Sequence, residues 1–68
     1  MGNMELLRNK IKDSGITYTA VARKIGVTRE TLYNRLDEKS EFKASEIACL
    51  TDMLRLKKSE QDAIFFDQ

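Results

Sequence analysis

The sequence predicts an all-α fold, a single small domain of five helices spanning residues 1–68. Apolar residues recur three or four positions apart in one segment after another: Met4, Leu7 and Ile11; Val21, Ala22 and Ile25; Leu32 and Leu36; Ile47, Leu50 and Leu54. That is the period of an amphipathic helix. The second observation concerns how helices begin. Ile16 precedes Thr17 and Val21 follows at the fourth helical position; Val27, Thr28 and Leu32 repeat the arrangement. Each set is an N-cap joined to a hydrophobic staple. Between them Gly26 stands where the first helix must end, and a positive φ costs glycine nothing extra. The stretch 16–36 therefore reads as two short helices meeting at a tight turn. Ala20 and Ala22 are small enough for the second to cross close to the first.

Helix 1 is expected over about Met4 to Asp13, with Ser14-Gly15 as its stop and Leu6 beside its apolar stripe. Arg8, Lys10 and Lys12 fall on its other faces. Helix 2 is expected from Tyr18 to about Ile25 behind the Thr17 cap. Helix 3 runs from Arg29 to Leu36 or Asp37, with Leu32 and Leu36 inward. Arg29 with Tyr33, and Glu30 with Asn34, form two i,i+4 pairs off that stripe and project outward together.

A polar loop follows, Asp37-Glu38-Lys39-Ser40-Glu41, with Phe42 as its anchor. Helix 4 is expected over about Ala44 to Arg55, closed by Lys57-Lys58 at the end where positive charge is favoured. Lys43 is a poor cap, and Ser45 is expected to compensate. Helix 5 is expected to begin after Ser59, with Glu60 and Asp62 in its first turn. It carries Ala63, Ile64, Phe65 and Phe66. Four apolar residues in a row cannot all face one core, so some are exposed or buried against another subunit.

Ala22, Gly26 and Val27, followed by Leu32 and Leu36, resemble the helix-turn-helix of phage repressor and Cro proteins, the xenobiotic-response-element/Cro-like family. The segment Lys39–Ile47 and the tail Phe65-Phe66 resemble that family's later helices, so the likeness covers most of the chain. It implies a five-helix lambda-repressor-like bundle with a central helix-turn-helix at about residues 17–37. In such proteins the second helix of the motif enters the major groove and the first lies across the backbone.

With that likeness, the outward face of helix 3 becomes the expected base-reading set: Thr28, Arg29, Glu30, Tyr33 and Asn34. Arg grips guanine at two points, Asn grips adenine, Glu accepts from cytosine and Tyr covers a thymine methyl. Expected backbone contacts are Thr17, Tyr18, Arg35, Lys39 and Ser40. Thr17 is also a cap, and Tyr18 either donates to phosphate or packs on its neighbours. Tyr18 departs from the family's usual glutamine, and Lys43 from its usual capping Thr or Ser. The family binds as two-fold dimers, and Ile64, Phe65 and Phe66 are the expected interface.

Net charge is only +1, but it is divided. Residues 1–36 hold seven basic and three acidic side chains, net +4; residues 37–68 hold five and eight, net −3. A basic front bearing the two short helices and an acidic back suit a phosphate-facing surface. With no His and one Cys, neither a disulfide nor a zinc site is expected, and the usual general base is missing. Cys49 reads as a small buried hydrophobe. No spacing of Asp, Glu, Lys and Ser argues for catalysis, and no glycine loop would cradle a phosphate, so an enzyme is not expected. No apolar run approaches a membrane span, no secretory signal opens the chain, and Leu6 spoils the acylation pattern begun by Met1-Gly2. The expectation is a cytoplasmic regulator without cofactor or metal. It would bind a double-stranded DNA operator, as a homodimer at least on DNA, to control a phage or prophage promoter. The alternative is an antirepressor using the same fold to bind another phage repressor, favoured by near-neutral charge and by Glu30, Asp37, Glu38 and Glu41.

Overall fold

The computed structural model describes residues 3–66, and over that span the chain is all-helical. Met1-Gly2, weighed above as an acylation site, and Asp67, counted in the charge balance, lie outside the described residues. Five helices follow in order: α1 (Met4–Ser14), α2 (Tyr18–Ile25), α3 (Arg29–Leu36), α4 (Ala44–Leu54) and α5 (Lys58–Gln61). The last widens into a π-helical turn over Asp62–Phe66. Among the described residues no helix is long and apolar enough to cross a membrane.

Three of the four connections are built alike. A left-handed residue stops one helix, an apolar residue packs on the core, and an extended residue caps the next helix. The triplets are Gly15-Ile16-Thr17, Gly26-Val27-Thr28 and Arg55-Leu56-Lys57. Their first residues have φ of 76°, 84° and 54°. The Thr17 hydroxyl accepts from the Ala20 N–H and the Thr28 hydroxyl from the Thr31 N–H, both at 3.1 Å, so both expected caps form. At the end of α2 the Val27 N–H donates to the Ala22 carbonyl at 2.9 Å and the Gly26 N–H to that of Arg23 at 3.3 Å. These bonds satisfy carbonyls the helix leaves open. The end of α4 repeats them, with Leu56 on Thr51 at 2.9 Å and Arg55 on Asp52 at 3.3 Å.

The helix starts in the second half differ from expectation. Lys57-Lys58 does not close α4; Lys57 caps α5, two residues before the expected Ser59. The reason lies in Leu56, which is buried and turns the chain inward directly after α4. Lys57 has no acceptor on its side chain, so the Glu60 carboxylate reaches back to take the Lys57 N–H at 2.9 Å. At α4 the Glu46 carboxylate does the same for the Lys43 N–H at 3.0 Å, in place of Ser45.

Leu7 and Ile11 of α1, Val21 and Ala22 of α2, Leu32 and Leu36 of α3, Leu50 of α4, and Leu56 make a continuous core with Ile64. Fully burying one such leucine or isoleucine is worth about 1.5–3 kcal/mol. Ile64 is 0 % exposed, which corrects its expected place in a subunit interface: it closes the core from below α1. The Asn3 N–H donates to the carbonyls of Ala63 and Ile64, at 3.1 and 2.9 Å, and ties the start of the chain to this turn. The run of four apolar residues is thereby divided. Ile64 points inward, Phe65 packs edge-on against Phe42 at 5.6 Å, and Phe66 remains 56 % exposed. Cys49, expected inside, is half-buried where α4 meets α2, with its thiol on the Lys24 carbonyl at 3.5 Å.

Candidate functional site

Leu32 and Leu36 bury one side of α3 and so fix which side is left outward. Arg29 and Glu30 are exposed on that side, and Tyr33 and Asn34 are half-exposed. The four expected base-reading residues of the α3 body therefore share one accessible surface beside the N-terminus of α2. Thr28 lies at its edge, but its hydroxyl is engaged: it accepts from the Thr31 N–H and bonds the Thr31 hydroxyl at 2.9 Å. Thr17 is likewise committed as a cap.

Tyr18 and Tyr33 bring the two helices together. Their rings meet edge-on with centroids 5.5 Å apart. The Arg29 guanidinium lies over the Tyr33 ring, 5.7 Å from its centroid, within cation–π range. Its Nη1 stands 3.5 Å from the Thr19 hydroxyl of α2. Sequence reasoning did not single out Thr19. The signal was its position in the first turn of α2, which a close crossing turns toward the start of α3.

Ion pairing decides which cations remain available. Arg8 of α1 meets Asp37 at 2.5 Å, joining α1 to the end of α3, and Lys10 pairs with Glu60. Exposed pairs of this kind add little stability, but they neutralise both partners. Among the described residues, Lys12, Arg23, Lys24 and Arg29 are the cations of 1–36 that make no ion pair.

Arg35, expected at the DNA backbone, is engaged within the protein. Its Nε donates to Glu46 Oε1 at 2.8 Å, its Nη2 to Oε2 at 3.2 Å, and its Nη1 to the Ser40 hydroxyl at 3.0 Å. The two charged side chains are only 11 % and 6 % exposed. Three of the five guanidinium N–H groups are thus spent inside the protein, tying α3 to α4 and to the loop between them. Ser40, another expected backbone contact, is its acceptor. Burial raises the pKa of Glu46, but the Arg35 hydrogen bonds, the Lys43 N–H and the charges of both residues outweigh it and hold the carboxyl below its ordinary value. Glu60 is also lowered, first by its hydrogen bond from Lys10 and then by the Lys57 N–H. Lys39 is exposed, yet exposed Glu38 and Glu41 flank the same loop. Sequence reasoning counted Glu46 only as a charge, although an acid three residues after a poor cap is a recognisable signal.

Comparison with family models, with curated proteins and with solved structures returns no match. The character of this surface rests on its own geometry and chemistry.

Proposed function

We propose that this chain is a sequence-specific double-stranded DNA-binding domain of the phage repressor and Cro type, with α2 and α3 as its helix-turn-helix in a lambda-repressor-like bundle. One observation carries the proposal. The two capped helices meet at a left-handed Gly26, and the outward side of α3 bears Arg29, Glu30, Tyr33 and Asn34, groups the fold does not need for its core. In that function α3 enters the major groove and α2 lies along the backbone. Arg29 and Asn34 are the residues best fitted to grip purine edges, and Tyr18 is the remaining hydroxyl of the expected backbone set with no cap or ion-pair partner to hold. The protein would act in the cytoplasm of a bacterial or phage-infected cell, as a dimer on a promoter, with Phe66 as the apolar contact between subunits.

The exposed acids Glu30, Glu38 and Glu41 favour a second reading, an antirepressor that docks this face on another repressor. Titration against the DNA upstream of its own gene, with salt varied, separates the two. Operator binding should weaken with salt at a log–log slope of about −2 to −3 per subunit, for two or three neutralised phosphates at about −0.9 each. Absence of binding to any duplex at low salt, with capture of a repressor from the same genome, establishes the second reading instead.

A further inference from the structure

The cluster joining α2 to α3 assigns a task to side chains that need not touch a base. Arg29 is exposed on a long, flexible stem, and ordering such a side chain on binding costs entropy. Here the guanidinium has a neighbour on two sides before any ligand arrives. The Tyr33 ring lies beneath it at 5.7 Å and the Thr19 hydroxyl stands 3.5 Å from Nη1. Tyr33 is in turn braced by the edge-on ring of Tyr18 at 5.5 Å. Thr19 and Tyr18 come from α2 and Tyr33 from α3, so the position of the two α2 side chains relative to Arg29 is set by the packing of one helix on the other.

We infer that Tyr33 and Thr19 are positioning residues for Arg29: Tyr33 is a platform, not a base reader, and α2 contributes to sequence choice through it. This rests on the DNA-binding function proposed above. The physical case is pre-organisation. A planar, five-donor group reads guanine well only when its fork is aimed, and a ring beneath it restricts the guanidinium while leaving its edge free to donate. A tyrosine engaged by both Arg29 and Tyr18 has less surface left for a thymine methyl. Its hydroxyl is not required by this arrangement, which makes the inference testable with phenylalanine.

The experiment selects bound sequences from a randomised double-stranded DNA library with wild-type protein, Tyr33→Phe, Tyr33→Leu and Thr19→Val, after thermal melts confirm that each variant folds. Tyr33→Phe should keep the wild-type base preference. Tyr33→Leu should lose at least about threefold of the preference at the single base pair that Arg29→Ala also relaxes, and Thr19→Val should relax that same position more weakly. Nuclear magnetic resonance of the free protein should show ring-shifted Arg29 δ protons in the wild type and Tyr33→Phe, and unshifted ones in Tyr33→Leu. If Tyr33→Leu keeps the wild-type preference, the platform is wrong. If Tyr33→Phe loses as much as Tyr33→Leu, the hydroxyl touches DNA directly and the inference also falls. Wild-type protein that selects no sequence refutes the proposed function itself, an outcome distinct from either.

Discussion

Arg35 and Glu46 face each other edge to edge, Nε on Oε1 at 2.8 Å and Nη2 on Oε2 at 3.2 Å, and join the last turn of α3 to the first turn of α4. Glu46 is the one charged side chain buried among the described residues, at 5 % exposure. The same carboxylate takes the Lys43 N–H, so one group caps α4 and anchors α3.

Removing either partner should be costly. Arg35→Ala leaves a buried carboxylate without its ion partner, though still on the Lys43 N–H, and it should destabilise the domain by about 3 kcal/mol in chemical denaturation. The paired replacement Arg35→Met with Glu46→Leu should recover part of that loss, because a packed apolar pair avoids the desolvation cost while the Lys43 N–H loses its acceptor. If Arg35→Ala keeps wild-type stability and only weakens DNA binding at every sequence, the arginine is a phosphate contact after all.

Stability should fall on the acid side for the same reason. The folded pKa of Glu46 lies below its ordinary 4.5, so the group binds protons more readily in the unfolded chain. Its contribution is complete above that ordinary value and is lost as the pH falls through the folded one. Glu60 acts in the same direction. Glu46→Gln should be less stable than wild type at neutral pH, and the two should converge below pH 4.5, as followed by thermal melting across a pH series.

Two left-handed positions carry side chains: Glu38 at φ 63° and Arg55 at φ 54°. Arg55 directly follows α4 and Glu38 follows α3 after Asp37, places where glycine avoids the clash of Cβ with the following carbonyl. Arg55→Gly should therefore stabilise the domain by about 0.5–1 kcal/mol, and Glu38→Gly by a similar amount. The converse applies at Gly26, φ 84°. A Cβ there would meet no atom within 4 Å, so the cost of Gly26→Val comes at least from backbone strain, roughly 1–2 kcal/mol. An unchanged denaturant midpoint for Gly26→Val would contradict this.

The two ends of the Ile64–Phe66 run should behave oppositely. Ile64→Ala should destabilise by about 2–4 kcal/mol, as for a fully buried side chain. Phe66→Ser should change stability by no more than about 0.5 kcal/mol. If Phe66 joins subunits, as proposed, sedimentation should show a dimer in the wild type that dissociates in Phe66→Ser. A dimer that survives the substitution removes Phe66 from the interface.

The local structure of this protein was legible in its sequence. The Thr17 and Thr28 caps, the Gly15 and Gly26 stops, the bounds of α2 and the inward faces of α1 and α3 follow from near neighbours. Capping, staple packing and glycine's freedom at positive φ operate within a few residues, and the letters alone specify them. The tertiary structure decided everything that depended on distant partners. It turned Arg35 from an outward cation into half of a buried pair with Glu46, eleven residues away. It drew Arg8 to Asp37 and Lys10 to Glu60, and so determined which charges stay free. It sent Ile64 into the core while leaving Phe66 outside, and set Thr19 beside Arg29. A charge or an apolar side chain has no intrinsic partner; burial and pairing are settled only when the helices pack, because both fall off over a few ångströms of space and not over positions along the chain.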